Sequence, residues 1–100
     1  MLILITPAAA QRIRQSAAET GLETPVLRVA AQVADDGSVD FGMGFDQARP
    51  GDTTVEVDGI FVVVAERSRE LVDGTRIDFV EMEPGDFRFI FAAPGDGATA

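Results

Sequence analysis

Apolar residues recur at helical spacing near the start of the chain and mostly at a period of two after it. Leu2-Ile3-Leu4-Ile5 predicts a short opening strand, and Thr6-Pro7 then starts a helix. Thr6 suits an N-cap, and Pro7 takes the first helical position, where its missing N–H costs nothing. Ala10, Ile13 and Ala17 fall on one side of that helix and Gln11, Arg12, Arg14 and Gln15 on the other, until Gly21 ends it. One amphipathic helix lying on a sheet is expected.

After Pro25 the alternation is that of a half-buried strand: Leu27, Val29, Ala31 and Val33 point one way, Arg28 and Gln32 the other. Val39, Phe41, Met43 and Phe45 then alternate with Asp40, Gly42, Gly44 and Asp46, which makes the stretch Ala34–Asp40 the loop of a β-hairpin. Gly42 and Gly44 on the polar face predict a bulge or a closely packed neighbour, since glycine otherwise weakens a strand. Thr53–Val57, Asp58-Gly59 and Ile60–Ala65 read as a hairpin with a two-residue turn. The unbroken apolar run from Ile60 predicts a strand covered on both faces, at the centre of the core.

Glu66–Val72, closed by Asp73-Gly74, allows one or two helical turns. Thr75–Glu83 reads as a strand with Ile77 and Phe79 on one face and Val80 and Met82 inward on the other; Pro84-Gly85 turns the chain. In the last strand Phe87, Phe89 and Phe91 share a face opposite Arg88 and Ile90. The phenylalanines read as core, with a subunit or partner interface as the alternative. The whole pattern is an α+β, strand-rich single domain over residues 1–91, followed by a small, polar tail, residues 92–100, expected to fray.

Composition narrows the chemistry. The chain has 100 residues, no cysteine, no histidine and no lysine, so thiolate ligands, thiol nucleophiles, imidazole bases and Schiff bases are excluded. The net charge is −9, and the acids lie almost wholly after residue 34: five Arg stand there against fifteen Asp and Glu. Nucleic acid and anionic membrane are therefore poor partners, whereas a basic protein surface or a hard cation remains compatible. No apolar run approaches the roughly 20 residues that span a bilayer, and no basic region precedes the N-terminal apolar run. A cytoplasmic protein is expected.

The one concentration of potential ligands is Ala34-Asp35-Asp36-Gly37-Ser38-Val39-Asp40. Asp36, Asp35 and Asp40, with Asp96 from a tail that folds back, are the candidate metal ligands, and their oxygens suit Ca²⁺, Mg²⁺, Mn²⁺ or oxygen-ligated iron. The spacing is not that of a calcium loop. The competing expectation is a solvated hairpin tip, with Asx-type bonds from Asp35 and Asp36 and positive φ at Gly37. Asp36 and Asp40 are an acid pair with no nucleophile, oxyanion donor or marked substrate pocket around them, so no enzyme is expected.

Several segments are similar to the A-type iron–sulfur carrier, or HesB-like, family. Ile5-Thr6-Pro7-Ala8 resembles the family's first-helix start, Leu27-Arg28-Val29 its "LR(V/L)" strand, and "FGMGFD" at 41–46 the segment after its first cysteine. Asp58-Gly59-Ile60 with Val62–Val64 resembles "DG(V/I)xVVVD", Phe87-Arg88-Phe89 resembles "GFKF", and "SRELVDGTRIDFV" at 68–80 is the most specific likeness. The resemblance covers residues 2–91 and implies mixed and antiparallel sheets, one N-terminal helix and one short helix.

By the same resemblance the family's first cluster-holding cysteine falls on Asp36, and Pro94-Gly95-Asp96-Gly97 stands where its Cys-Gly-Cys should be. A cluster held by thiolates is thus excluded. The resemblance implies a degenerate carrier: a non-catalytic accessory or interaction module tied to iron–sulfur assembly by inherited surfaces, with a protein partner from that machinery, homodimer formation as in the family, and no cofactor. The alternative is a carrier of iron or another divalent cation on the carboxylates of the Asp35–Asp40 loop. Cluster carriage on ligands lent by a partner or a small thiol is a further variant.

Overall fold

The computed structural model describes residues 1–92. The chain runs β1 (Ile3–Ile5), α1 (Pro7–Glu19), β2 (Val26–Val33), β3 (Val39–Phe45), β4 (Thr53–Val57), β5 (Ile60–Val64), a 3-10 turn (Glu66–Ser68), α2 (Arg69–Val72), β6 (Thr75–Glu83) and β7 (Asp86–Ala92). Two mixed sheets result, ordered β1-β6-β7 and β3-β2-β5-β4, with β1 parallel to β6 and β2 parallel to β5. The remaining pairs are antiparallel. This is the α+β, strand-rich architecture that the alternation predicts.

The helix starts where the sequence places it. The Thr6 hydroxyl accepts the Ala9 N–H at 3.3 Å and donates to Asp78 Oδ1 at 2.7 Å, while the Thr6 N–H donates to the Ile77 carbonyl at 3.0 Å. Asp78 is thereby drawn below its ordinary pKa, first by the Thr6 hydroxyl and then by the Phe79 N–H. The Ile77-Asp78 pair of β6 fixes the N-terminus of α1 from a sequence distance of 72 residues. Ala9, Ala10, Ile13 and Ala17 are the buried stripe of α1.

Between the sheets and the helix lie Ile3, Ile13, Leu27, Val29, Ile60, Val62, Val64, Val72 and Ile77, each at most 3% exposed. Each such side chain stabilises the fold by roughly 1.5–3 kcal/mol relative to exposure. β5 is the central strand: Val62, Val63 and Val64 are all fully buried, so both of its faces are covered as its unbroken apolar run requires. Asp58 and Gly59, with φ of 52° and 80°, make the left-handed two-residue turn that joins β4 to β5.

Three side chains expected inside are outside. Val33 is 60% exposed, because β2 pairs β5 only through Val26–Arg28 and the β2–β3 hairpin projects past the core. Met82 is 57% exposed, at a bulge between Glu81 and Glu83 on the distal part of the β6–β7 hairpin, beyond the Thr75–Ile77 segment that β1 covers. Phe87 shares that end and is 54% exposed, although it stacks on Phe79 at 5.6 Å. β7 itself extends to Ala92, one residue past its expected end; the expected tail otherwise lies outside the described residues. No helix among them is long and apolar enough to cross a membrane.

Candidate functional site

The acidic loop sits at the tip of the projecting β2–β3 hairpin. Gly37 N–H donates to the Ala34 carbonyl at 2.9 Å and Ala34 N–H to the Ser38 carbonyl at 2.7 Å, with Gly37 at φ 87°. Only a residue without a Cβ takes that conformation at no cost, so Gly37 fixes the turn. Asp36 Oδ1 accepts both the Ser38 hydroxyl at 2.6 Å and the Ser38 N–H at 3.0 Å. Those two bonds, the hydroxyl first, hold its carboxyl below the usual range. Asp36 is thus a carboxylate turned back onto its own loop, the Asx bond expected of a solvated tip.

Asp35 and Asp40 are exposed, and Asp40 lies on the outward face of β3 opposite Gln32. Among the described residues no group of three or more Asp and Glu side chains is arranged to hold a metal ion. Asp96, the fourth candidate ligand, lies outside the described residues. Phe91 stacks on Phe41 at 5.2 Å and 7°, so the described chain ends beside this hairpin.

Beneath the tip is an open groove of about 690 Å³ lined by Ala31, Val33, Phe41, Ser68, Leu71 and Arg67, among others. Its floor exists because β5 ends before β2 does. In place of a neighbouring strand, the buried Ser68 hydroxyl accepts the Ala31 N–H at 3.3 Å and donates to the Ala31 carbonyl at 3.2 Å. One side chain thus satisfies both backbone groups of a strand edge that would otherwise be buried unpaired.

The strongest polar cluster of the hairpin is one that sequence reasoning left without a role. Arg28, on the outward face of β2, donates Nε to Asp46 Oδ2 at 2.7 Å and both terminal nitrogens to Asp52, at 2.6 and 3.2 Å. Its Nη2 also reaches the Gln47 carbonyl at 2.9 Å, and Arg49 N–H donates to Asp52 at 2.8 Å. Bidentate pairing of this kind is the strong form of an ion pair. Asp52 is held below its ordinary pKa chiefly by Arg28, Asp46 by the Gln47 N–H and then by Arg28, and Arg28 is held more firmly protonated by both. The cluster ties residues 46–52 to the sheet. Its sequence signal was the one charged residue of a mostly apolar strand, followed by two aspartates flanking a loop.

The glycines of β3 also differ from expectation. The β2–β3 register is unbroken from Leu27↔Phe45 to Val33↔Val39, so there is no bulge, and neither Gly42 nor Gly44 has a positive φ. A Cβ built on either would meet nothing within 4 Å. Neither backbone conformation nor packing within the described residues calls for glycine at these positions.

No protein-family profile matches the chain. Individual relatives do: the sequence is 32% identical over 98 residues to the iron-sulfur cluster insertion protein ErpA 2 of Methylococcus capsulatus, covering 97% of this chain and 75% of that one. The chain belongs to the A-type iron–sulfur carrier family. An Aquifex aeolicus protein is 32% identical over 77 residues, 76% of this chain and 66% of its own length. A crystal structure of IscA with a 2Fe–2S cluster shares the fold, with a TM-score of 0.76 over 93% of this chain and 86% of that one, at 24% identity. This member of the carrier family contains no cysteine.

Proposed function

We propose that this chain is a degenerate carrier: a non-catalytic accessory or interaction module of iron–sulfur assembly that keeps the carrier fold and its surfaces without holding a cluster itself. The observation that carries this reading is Asp36. At the hairpin tip matched to the family's first cysteine, the side chain is engaged with Ser38, and the chain has no thiolate to offer elsewhere. A protein partner from the assembly machinery follows from the same reading, as does a homodimer, for which the end of β7, where Ile90 and Phe91 make both faces apolar, is the candidate surface.

The competing reading, carriage of iron or another divalent cation on Asp35, Asp36 and Asp40, leaves Asp36 Oδ2 to ligate while Oδ1 keeps its Ser38 bonds, but needs the three carboxylates to converge, which they do not do among the described residues. Anaerobic reconstitution with ferrous iron and sulfide separates the two. The accessory reading predicts no visible charge-transfer absorption and no retained iron after desalting, for the wild type and for Asp36→Ala alike. Retained iron that is lost in Asp36→Ala would establish the carboxylate carrier instead.

A further inference from the structure

β3 is the terminal strand of its sheet, and only one of its two edges is in use. Asp46 N–H donates to the Val26 carbonyl and Ala34 N–H to the Ser38 carbonyl, so the even-numbered residues of this hairpin face each other. By the alternation of an antiparallel ladder, the N–H and C=O groups of Val39, Phe41, Met43 and Phe45 point away from β2. Among the described residues nothing is hydrogen-bonded to them. The strand is seven residues long, with no proline, lysine or bulge to blunt it.

Its outward face reads Asp40, Gly42, Gly44, Asp46, so the two glycines that nothing within the described residues explains lie between two aspartates. A shallow groove of about 200 Å³, lined by Arg28, Ala30, Gly42, Met43, Gly44 and Phe45, passes over them. On the inward face Val39, Phe41, Met43 and Phe45 remain only half-buried.

We infer that the free edge of β3 takes up an extended basic segment of a partner protein as an added strand, with Lys or Arg side chains lying over Gly42 and Gly44. The alternation sets the pattern of the segment. Basic residues opposite Gly42 and Gly44 stand diagonal to Asp40 and Asp46, and the intervening apolar residues continue the inward face of β3. Bare glycine positions leave room for long side chains to cross the strand. Charge selects the occupant: residues 35–46 hold four aspartates and no arginine, and nearby Arg28 is already taken by Asp46 and Asp52. A second copy carries the same −9 and the same aspartates, and the chain's own residues 93–100 contain Asp96 and no basic residue, so both are poorer occupants. The surface stands whether or not the chain works in iron–sulfur assembly, and so goes beyond that reading.

The test is an amide-shift titration of the ¹⁵N-labelled full chain with the acetylated, amidated heptapeptide Lys-Val-Lys-Val-Lys-Val-Lys. Saturable shifts centred on Val39, Phe41, Met43 and Phe45 are expected. Affinity should fall at least tenfold on Gly42→Lys, whose Cβ meets nothing within 4 Å, with the amide spectrum of the variant reporting that the fold is intact. It should fall as much when one alternate set of peptide nitrogens, valines or lysines, is N-methylated, and hold when the other set is. Equal binding of Glu-Val-Glu-Val-Glu-Val-Glu, indifference to both N-methylated sets, or no shifts at these four amides would overturn the proposal. So would a tenfold gain in affinity on deleting residues 93–100, or concentration-dependent protection of the same amides without peptide, which would assign the edge to the chain itself.

Discussion

Replacing Gly42 and Gly44 together by threonine should make the protein more stable, which is unusual for a double substitution within a strand. Both residues are in mid-strand, paired with Ala30 and Arg28 across the ladder, and neither has a positive φ or a neighbour within 4 Å of its absent Cβ. Glycine in a strand interior costs about 0.5–1 kcal/mol relative to alanine, through the backbone entropy lost on folding. A β-branched side chain adds cross-strand contact worth about 0.2–1 kcal/mol per pair. The sites are two residues apart on one face, so the gains need not add fully, and the double variant should gain about 1–2 kcal/mol. For a domain of this size that is a rise in Tm of roughly 5–15 °C. Urea and thermal unfolding at pH 7 measure it, with the urea m-value unchanged if the gain is in the folded state. An unchanged or lowered midpoint would refute the claim that no packing or backbone constraint requires these glycines.

Further predictions follow from the polar groups. Ser68→Ala should destabilise by about 1–3 kcal/mol by leaving the Ala31 N–H and C=O unpaired in the interior, read by urea unfolding. Thr75→Val should stabilise by about 1 kcal/mol, since the Thr75 hydroxyl is buried without a partner among the described residues. Thr6→Ala should cost about 1 kcal/mol as a lost N-cap, and Asp78→Asn should lower stability through the same contact. Asp36, Asp46, Asp52 and Asp78 all have lowered pKa values against an ordinary 3.8. The unfolded chain therefore binds more protons just below that value, so their contribution is intact above about pH 4 and is lost as pH falls further. An acid titration of the urea midpoint showing no decline below pH 4 would contradict these carboxylate contacts.

Much of the fold was legible because each element follows one periodicity. The helix from Pro7, the β2–β3 and β4–β5 hairpins and the buried β5 read directly from spacing and from Thr6, Gly37 and Asp58-Gly59. What failed was the extent of the core: alternation shows that Val33 and Met82 lie on one side of a strand, but not that both strands outrun the layer that would cover them. Arg28, Asp46 and Asp52 stood out singly, but their pairing was not legible, since ion pairs across a loop depend on how that loop folds back. At the candidate site, the turn at Gly37 and the Asx bond of Asp36 were readable from local chemistry. The open edge of β3 was not, because strand order across the sheet is set by the β2–β5 crossover rather than by any short segment.

Offering the chain a ready-made cluster separates a degenerate carrier from a working one. A cysteine-bearing A-type carrier loaded with its cluster is incubated anaerobically with this protein, the two are separated, and iron and acid-labile sulfide are measured per chain. A degenerate carrier leaves the cluster on the loaded protein, and this chain is recovered without iron, sulfide or visible absorption. Recovery of this chain with about one iron or more per molecule would contradict that reading.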